Sequence, residues 1–373
     1  MKYFLIAGEP SGDMHAATLM EEIKKNDDNA TFQYFGGDLM QAQGGILLKH
    51  YREMAFMGIL PVVMNIRTIK KNFDACKKHL LIFQPDVLIL VDYPGFNLRM
   101  AKFAKEKSIP VTYYISPKVW AWKTKRVHQI KAYVDHMYTI FPFETPFYEK
   151  YNYKVNYVGN PLYDLLKPKI DSKPDFEEFT SKYKLSKKPI IALLPGSRDH
   201  EIKSLLPTML ELGKHYPEYQ LVISGAPGKD PGFYKQFSTN TPVIFENTYE
   251  LLQNSTASIV ASGTATLETA LLKVPQVVIY KMGMGWLLEK LRSFILKTEF
   301  FSLVNLVAEK EVVKELFQSQ VTVENLKNEL DKILSDENYR SKILEGYKQI
   351  EEKLSTEGAA SKTAKAIVES LKK

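Results

Sequence analysis

The sequence predicts an α/β protein of two doubly wound domains, each with a parallel sheet, that face a central cleft. The chain has 373 residues, enough for two domains of about 100–200 residues each. In both halves short, continuously apolar runs alternate with amphipathic helical stretches, which is typical of parallel strands covered by helices on both faces. Ligands of such sheets bind beyond the carboxyl ends of the strands, so the cleft is the predicted site.

The first domain is predicted over residues 1–166. It begins with a strand at Lys2–Ala7, a glycine-containing loop and a helix over Met14–Lys25 whose apolar residues recur at helical spacing. Three prolines between Gly159 and Phe179 predict a linker at its end. The other apolar runs, spaced widely enough for crossover helices, are Thr31–Phe35, Val87–Val91, Val111–Ile115 and His136–Ile140.

The second domain is predicted over residues 167–345 as a further α/β series. Beyond about Val323 the pattern changes to charged amphipathic helices. The last helix, at about 346–373, has an apolar face that includes Ala364 and Ile367, which would allow it to pack back on the first domain. The predicted strands of this domain are Ile190–Leu194, Leu221–Ser224, Val243–Phe245, Ser258–Ser262 and Gln276–Tyr280.

Charge and cysteine content narrow the partners and the compartment. Lys and Arg number 50 against 43 Asp and Glu, a net charge of +7, which suits nucleotides, nucleic acid or an anionic membrane surface without choosing among them. The single cysteine, Cys76, permits no intrachain disulfide and favours a reducing cytosol. The least charged stretch, Met54–Ile66, is shorter than the ~20 residues that span a bilayer, so no segment is predicted to cross a membrane.

The strongest local motif is the segment Leu194–Arg198, Leu-Pro-Gly-Ser-Arg, which lies between an apolar strand and a helix carrying Glu201. Gly196 permits a sharp turn and the close approach of an anion. The helix start, Ser197 and Arg198 would then supply donors to a diphosphate. An ordinary strand-to-helix turn with a solvated arginine fits the same spacing, because the segment is neither a Walker A motif nor a GxGxxG fingerprint.

A second motif of the same kind is Ser262–Glu268. Gly263 and Thr264 would offer amides and a hydroxyl to a phosphate, and Glu268 would accept hydrogen bonds from ribose hydroxyls. Alternatively, Thr264 caps the helix and Glu268 only favours its positive end. Two such loops in one domain, both at carboxyl ends of strands, favour a nucleotide site.

In the first domain, Asp92 follows the apolar run Val87–Val91 and is a candidate general base toward a sugar hydroxyl. A turn-forming aspartate before Pro94 accounts equally well for this spacing. Asp13 and His15, after the first strand, are further candidates. A lone histidine in the first turn of a helix is more often structural.

Two segments mix aromatic with basic residues and contain all three tryptophans of the chain. Such segments stack nucleic acid or lie at a lipid headgroup layer, although a core or dimer contact is the default explanation. The histidines and the one cysteine form no zinc motif, so no metal site is predicted. The segments are Tyr113–Lys131, with Trp120 and Trp122, and Trp286–Phe301, with Trp286, Phe294 and Ile295.

Seven segments, in order along nearly the whole chain, resemble the lipid-A-disaccharide synthase family, bacterial glycosyltransferases of the GT-B fold with two Rossmann-like domains. The most specific is Ser116–Trp122, where a tryptophan pair is flanked by Ser-Pro and by Lys and Arg. The others are Gly8–Asp13, Met54–Ile59, Pro85–Val87, Leu194–Arg198, Ala261–Ala265 and Ser302–Leu306.

The resemblance implies inverting transfer of 2,3-diacylglucosamine from UDP to 2,3-diacylglucosamine 1-phosphate, giving the β-1,6-linked lipid A disaccharide 1-phosphate and UDP. Asp92 matches the family's acidic position and is the implied base. Arg198, with Ser197, matches the diphosphate site, and Glu268 matches the ribose contact. Asn305 matches a family motif position near the cleft and, like Glu201, is expected among the UDP-sugar contacts, although its own role stays open. No cofactor or metal is expected, because Arg198 and the helix start can offset the charge of the leaving group.

The sequence departs from the family pattern at two positions. Gly95 stands where a second acidic residue often follows Asp92, and Pro10 replaces a small residue in the first loop. If that second carboxylate is the base in other members, Asp13 or His15 would have to substitute for it here.

Both implied substrates carry acyl chains, so we expect peripheral attachment to the cytoplasmic face of the inner membrane, driven by apolar burial and anionic lipid. The expected membrane or acyl contacts are Met57 and the aromatic-basic segments. Family members can exchange their carboxyl-terminal parts in dimers, so a homodimer is open, as are the acyl chain lengths. The rival interpretations are a UDP-sugar 2-epimerase of the same fold and a non-catalytic nucleotide-binding regulator. A nucleic-acid binder is disfavoured because no nucleic-acid module is recognisable.

Overall fold

The computed structural model describes residues 1–54, 66–120, 124–170, 172, 175–281 and 299–372. The chain divides into two compact units. The first unit contains Met1–Asp164 together with Thr356–Lys373, and the second contains Leu165–Ser355. The second division falls at 355/356 rather than at the predicted 345/346, because the helix Glu337–Leu354 continues without a break through the predicted boundary.

The first unit is built on a parallel seven-stranded sheet. Its strands, in chain order, are β1 (Lys2–Ala7), β2 (Thr31–Gly36), β3 (Ile46–His50), β4 (Val87–Val91), β5 (Val111–Tyr114), β6 (His136–Thr139) and β7 (Asn156–Tyr157). Their spatial order is β3-β2-β1-β4-β5-β6-β7. Five of the seven coincide with predicted runs, whereas β3 and β7 were missed because they are edge strands that are only partly buried.

Helices cover both faces of this sheet, as expected for parallel strands. They are α1 (Pro10–Asn26), α2 (Asp38–Ala42), α3 (Ile66–Phe83), α4 (Pro94–Glu106), α5 (Arg126–Tyr133) and α6 (Glu144–Glu149). None of the helices in the described part of the chain is both long enough and apolar enough to span a membrane.

The second unit has a parallel six-stranded sheet of order β10-β9-β8-β11-β12-β13. Its strands are β8 (Ile190–Leu194), β9 (Gln220–Gly225), β10 (Val243–Phe245), β11 (Ser255–Ala261), β12 (Gln276–Tyr280) and β13 (Glu315–Phe317). All but the edge strand β13 coincide with predicted runs.

In the second unit helices alternate with the strands, and two long helices follow the last strand. The chain enters the unit within α7 (Pro161–Ile170), and the remaining helices are α8 (Phe176–Lys182), α9 (Asp199–Glu211), α10 (Pro231–Lys235), α11 (Thr248–Gln253), α12 (Thr264–Leu271), α13 (Leu303–Ala308), α14 (Val323–Ser335) and α15 (Glu337–Leu354).

The predicted linker over residues 159–179 is wrong, because this stretch contains α7 and begins α8. The side-chain oxygen of Asn160 accepts a hydrogen bond from the backbone N–H of Leu162 at 2.9 Å, and Asp175 accepts one from Glu177 at 2.8 Å. Both residues therefore act as helix caps. Proline is well tolerated in a first helical turn, so Pro161 marks a helix start rather than a break.

The last helix, α16 (Ala359–Leu371), packs against α1 in the first unit. The Asp164 carboxylate accepts hydrogen bonds from the N–H groups of Gly358 and Ala359, both at 2.9 Å. Gly159 has a φ of +101°, and a Cβ there would collide with the carbonyl oxygen of Thr356. The first unit thus holds the end of the chain at two positions far apart in sequence.

Candidate functional site

The candidate site residues of the second unit lie at the carboxyl edge of its sheet. Since β8, β11 and β12 are adjacent and parallel, the loops that follow them emerge at the same edge. Gly196 in the first of these loops has a φ of +98°, and a Cβ there would lie 2.6 Å from a Glu201 carboxylate oxygen. The turn therefore requires glycine.

Arg198 precedes α9 and is held there by Glu201, whose carboxylate accepts hydrogen bonds from the Arg198 backbone N–H at 3.3 Å and from Nη1 at 3.2 Å. The Arg198 side chain is 56% exposed and the Glu201 side chain only 16%. Ser197 is also exposed. The guanidinium group is thus placed at the beginning of a helix, where the helix dipole also favours an anion.

The loop after β11 leaves the start of α12 without a side-chain cap. Gly263 occupies the cap position, and Thr264 is the first helical residue and is exposed. The alternative in which Thr264 caps this helix is therefore wrong. The backbone N–H groups at this helix start are suited to bind an anion.

Glu268, one turn into α12, is oriented by a tyrosine that the sequence did not suggest. The Tyr249 hydroxyl on α11 donates a hydrogen bond to Glu268 Oε1 at 3.0 Å. Burial raises the pKa of Glu268, and the hydrogen bond from Tyr249 opposes that rise. One oxygen of this partly buried carboxylate thus accepts a hydrogen bond from the protein, at the sheet edge where the nucleotide is predicted to bind.

Asn305 does not match its predicted place in the nucleotide site. It is fully buried, and its Nδ2 donates to Val313 O at 2.9 Å and to Glu315 Oε1 at 3.0 Å. Its Oδ1 accepts from the N–H groups of Val312 at 2.8 Å and Val313 at 3.0 Å. The amide is satisfied by the segment that leads into β13, so Asn305 braces α13 rather than presenting a group to a ligand.

Two residues near Arg198 were missed by the sequence analysis. Tyr280 ends β12, and the pKa of its phenol is raised by burial and by Glu201, while Arg198 opposes the rise. Lys229, in the loop after β9, has its Nζ 2.5 Å from Asp199 Oδ1. Neither residue belongs to a recognisable motif, and only the order of the strands brings them to this edge.

In the first unit, Asp92 lies directly after β4 in an unusual backbone conformation. Asp92 has a φ of +43° and Tyr93 a φ of +48°, the left-handed region that residues other than glycine rarely adopt. The Asp92 carbonyl oxygen accepts hydrogen bonds from Asn97 Nδ2 at 2.7 Å and from the Tyr113 hydroxyl. The backbone carbonyl thus anchors this turn, and the backbone N–H of Tyr93 also donates to the Asp92 carboxylate.

The Asp92 side chain is partly buried. Burial raises the pKa of Asp92 above its ordinary range, and the positive charge of Lys118 opposes that rise. Lys118 is exposed on the loop after the neighbouring strand β5. A carboxylate whose pKa is raised by burial is a stronger proton acceptor than an ordinary aspartate, and a nearby cation favours its charged form.

The two alternative bases differ from Asp92 in their contacts. Asp13 is buried, and its carboxylate accepts hydrogen bonds from the N–H groups of Gly37 at 2.7 Å, Leu39 at 3.0 Å and Met40 at 3.2 Å. It therefore caps α2. Burial lowers the pKa of His15 to about 4, so this imidazole is neutral at pH 7.

Trp120 was expected at a membrane or acyl surface, but it is only 7% exposed. Its ring packs edge-on against Phe143 with centroids 5.0 Å apart. This burial favours the core alternative and corrects the predicted membrane contact. The other expected membrane contacts lie outside the described residues: Met57, Trp122, Trp286, Phe294 and Ile295.

Within the described ranges, no group of three or more His, Cys, Asp or Glu side chains could hold a metal ion. The polar groups at the sheet edges are a carboxylate in the first unit and, in the second, a helix start preceded by Arg198 and a helix start without a side-chain cap.

Solved structures with the same architecture define the class of protein. The UDP-GlcNAc 2-epimerase from Neisseria meningitidis, solved bound to UDP-GlcNAc, matches with a TM-score of 0.67 at 15% identity over 100% of this chain and 99% of that chain. The glycotransferase of kitacinnamycin matches with a TM-score of 0.65 at 13% identity over 99% of both chains. At such identities the likeness shows the fold alone, and that fold is the one shared by GT-B glycosyltransferases and these epimerases.

Sequence comparison identifies the family within this class. The family described as Lipid-A-disaccharide synthetase matches residues 3–369. The lipid-A-disaccharide synthase of Myxococcus xanthus (strain DK1622) is 38% identical over 381 residues, 99% of this chain and 97% of its own length. That of Coxiella burnetii (strain CbuG_Q212) is 36% identical over 371 residues, 97% of this chain and 96% of its own length. The chain belongs to the lipid-A-disaccharide synthase family and is a glycosyltransferase with that activity.

Proposed function

We propose that this enzyme transfers 2,3-diacylglucosamine from UDP to 2,3-diacylglucosamine 1-phosphate with inversion, forming the β-1,6-linked disaccharide 1-phosphate. The donor is assigned to the second unit and the acceptor to the first. The assignment of the donor rests on two helix starts at one edge of the sheet. Arg198 precedes α9, and the start of α12 has no side-chain cap. A structural neighbour of this fold holds UDP-GlcNAc, which supports a UDP-sugar as donor.

In the donor site, the diphosphate lies against the turn at Gly196 and Ser197, and Arg198 donates to it. The ribose hydroxyls bind the carboxylate of Glu268, which Tyr249 orients. As the anomeric carbon leaves the β-phosphate, negative charge grows on UDP, and fixed donors at that position stabilise the transition state. The proposal needs no metal or cofactor, because Arg198 and the two helix starts supply this positive potential.

In the acceptor site, Asp92 is the base. The O6 hydroxyl of the acceptor gives its proton to the Asp92 carboxylate as the oxygen attacks the anomeric carbon, and the bond from that carbon to the UDP oxygen breaks. Asp92 is preferred to Asp13, whose carboxylate already accepts three backbone hydrogen bonds. It is also preferred to His15, because burial raises the pKa of Asp92 and lowers that of His15, which strengthens the first as a proton acceptor and weakens the second.

We assign the enzyme to the surface of an anionic membrane, at the inner face of the inner membrane, where its acylated substrates reside. Helix α3 supports this attachment, because it exposes the cations Arg67, Lys70 and Lys71. At its end Leu81 is 45% and Ile82 69% exposed. Lys78, one helical turn before Ile82, is also exposed, and apolar side chains next to basic ones bind an anionic bilayer surface.

Product analysis tests the proposed reaction. The protein is incubated with UDP-2,3-diacylglucosamine and 2,3-diacylglucosamine 1-phosphate together and with each alone, and UDP and the disaccharide are quantified by mass spectrometry. We expect disaccharide and UDP in equal amounts only when both substrates are present. Conversion of the donor alone would indicate an epimerase, and nucleotide binding without turnover would indicate a regulator, and either result would overturn the proposal.

A further inference from the structure

Lys229 brings a second cation to the start of α9 from a different loop. It lies between β9 and α10, and its Nζ is 2.5 Å from Asp199 Oδ1. Asp199 is the first residue of α9 and directly follows Arg198. Strands β8 and β9 are neighbours in the sheet, so their loops meet at the edge where the diphosphate is assigned.

The position of Lys229 is defined by its own loop. The Lys229 N–H donates to Ala226 O at 3.2 Å, and Gly228 before it has a φ of +77°. The ammonium group lies 5.1 Å from the centroid of the Phe233 ring, within the range of a cation–π contact. Its side chain is only 23% exposed, whereas that of Asp199 is 56% exposed. The lysine is therefore held in place, and its carboxylate partner is the more solvated of the two.

The charges around Lys229 and Asp199 favour replacement of the Asp199 carboxylate by a diphosphate. The hydrogen bond and charge of Lys229 lower the pKa of Asp199, and Lys203 adds to the effect. A carboxylate offers one negative charge to this cluster, whereas a nucleoside diphosphate offers at least two and more acceptor oxygens. A diphosphate bound at Arg198 would therefore compete with Asp199 for the ammonium group.

We propose that Lys229 binds the diphosphate of the sugar-nucleotide donor and that Asp199 is its counter-ion when the donor is absent. This inference rests on the proposed donor site at Gly196–Arg198. When the donor binds, a phosphate oxygen replaces the Asp199 carboxylate at the ammonium group of Lys229, and the lysine backbone does not move. Arg198 and Lys229 then approach the leaving group from two different loops.

The test is calorimetric titration of the full chain with UDP, UMP and uridine. Lys229→Met should weaken UDP binding by about 10- to 100-fold, the effect of losing a hydrogen bond to a charged group, and leave uridine binding unchanged. Lys229→Arg should restore most of the UDP affinity. Lys187→Met is the matched control, because Lys187 also pairs with a carboxylate, Glu177 at 2.9 Å, but precedes β8 at the opposite end of that strand.

A second variant tests the exchange itself. Asp199→Asn removes the competing carboxylate, so it should tighten UDP binding in the wild-type background by more than it does in the Lys229→Met background. Equal effects in the two backgrounds would show that Lys229 and Asp199 are not coupled and would overturn the exchange.

The variant Arg198→Met separates failure of this inference from failure of the donor site. If Arg198→Met weakens UDP binding and Lys229→Met does not, Lys229 forms only a surface ion pair and the inference is wrong. If neither variant changes UDP binding, the donor site itself is wrongly assigned, and the inference falls with it.

Discussion

Replacement of Asp92 by Asn is the most direct test of the assigned base. The change removes the proton acceptor and keeps the size of the side chain. General-base catalysis contributes about 10²- to 10⁴-fold to a rate, so kcat should fall by that factor, which is about 3–5 kcal/mol of transition-state free energy. UDP affinity should not change, because the nucleotide is assigned to the other unit.

The fold should tolerate this variant. Asn adopts left-handed backbone conformations about as readily as Asp, and the hydrogen bonds from Asn97 and Tyr113 go to the backbone carbonyl, which the variant retains. Burial raises the pKa of Asp92, so its ionised form destabilises the folded state at neutral pH, and the neutral amide should not lower the free energy of unfolding.

The pH dependence of kcat/KM gives an independent test. A base must be ionised, so activity falls as pH decreases through its pKa, and the raised pKa of Asp92 places this fall above the range of an ordinary aspartate. Lys118 opposes the rise, so Lys118→Met should move the acidic limb to still higher pH.

UDP release from the two acylated substrates, measured across pH, provides the assay. Asp86→Asn is the matched control, because Asp86 precedes the same strand and bonds the backbone N–H of Lys2 at 2.7 Å. A rate for Asp92→Asn within tenfold of wild type, or an acidic limb that Lys118→Met does not move, would refute the assignment.

Three further predictions concern the ribose contact, the end of the chain and the membrane surface. In calorimetry, Glu268→Ala should weaken UDP binding about 10-fold or more and leave pyrophosphate affinity unchanged, because only the ribose contact is lost. Asp164→Ala should lower the free energy of unfolding by about 1–2 kcal/mol in urea titrations, since two N–H groups lose their cap. Charge reversal at Lys70 and Lys71 should reduce flotation with phosphatidylglycerol vesicles, whereas Lys102→Glu, on α4, should not.

Much of the fold could be predicted because the inner strands are fully buried. The runs in β1, β4 and β8 are continuous and apolar, and a parallel sheet covered on both faces requires this pattern. The edge strands β3, β7 and β13 are short or only partly buried, so they carry no such signal. The predicted linker is wrong because proline breaks a helix only in its interior, and Pro161 begins a helix that Asn160 caps.

The candidate site was predictable only where one loop contains the whole signal. Gly196 and Arg198 belong to a single turn, so their pattern is visible in the sequence. Lys229 reaches Asp199 because β9 lies beside β8, and Tyr249 reaches Glu268 from the helix that leads into β11. No local spacing indicates either pair. Asn305 is the opposite case, because its motif position predicts a ligand contact whereas the structure shows a buried amide bonded within the protein.

The attachment of residues from Thr356 onward to the first unit affects how the chain is made. The second unit is one continuous stretch, Leu165–Ser355, so it can fold as soon as it leaves the ribosome. The unit that is synthesised first must wait, with the α1 surface that α16 covers still exposed, until the last helix emerges. A nascent chain that stalls before Thr356 would therefore carry a finished second half and an incomplete beginning, which is a target for chaperones and proteases.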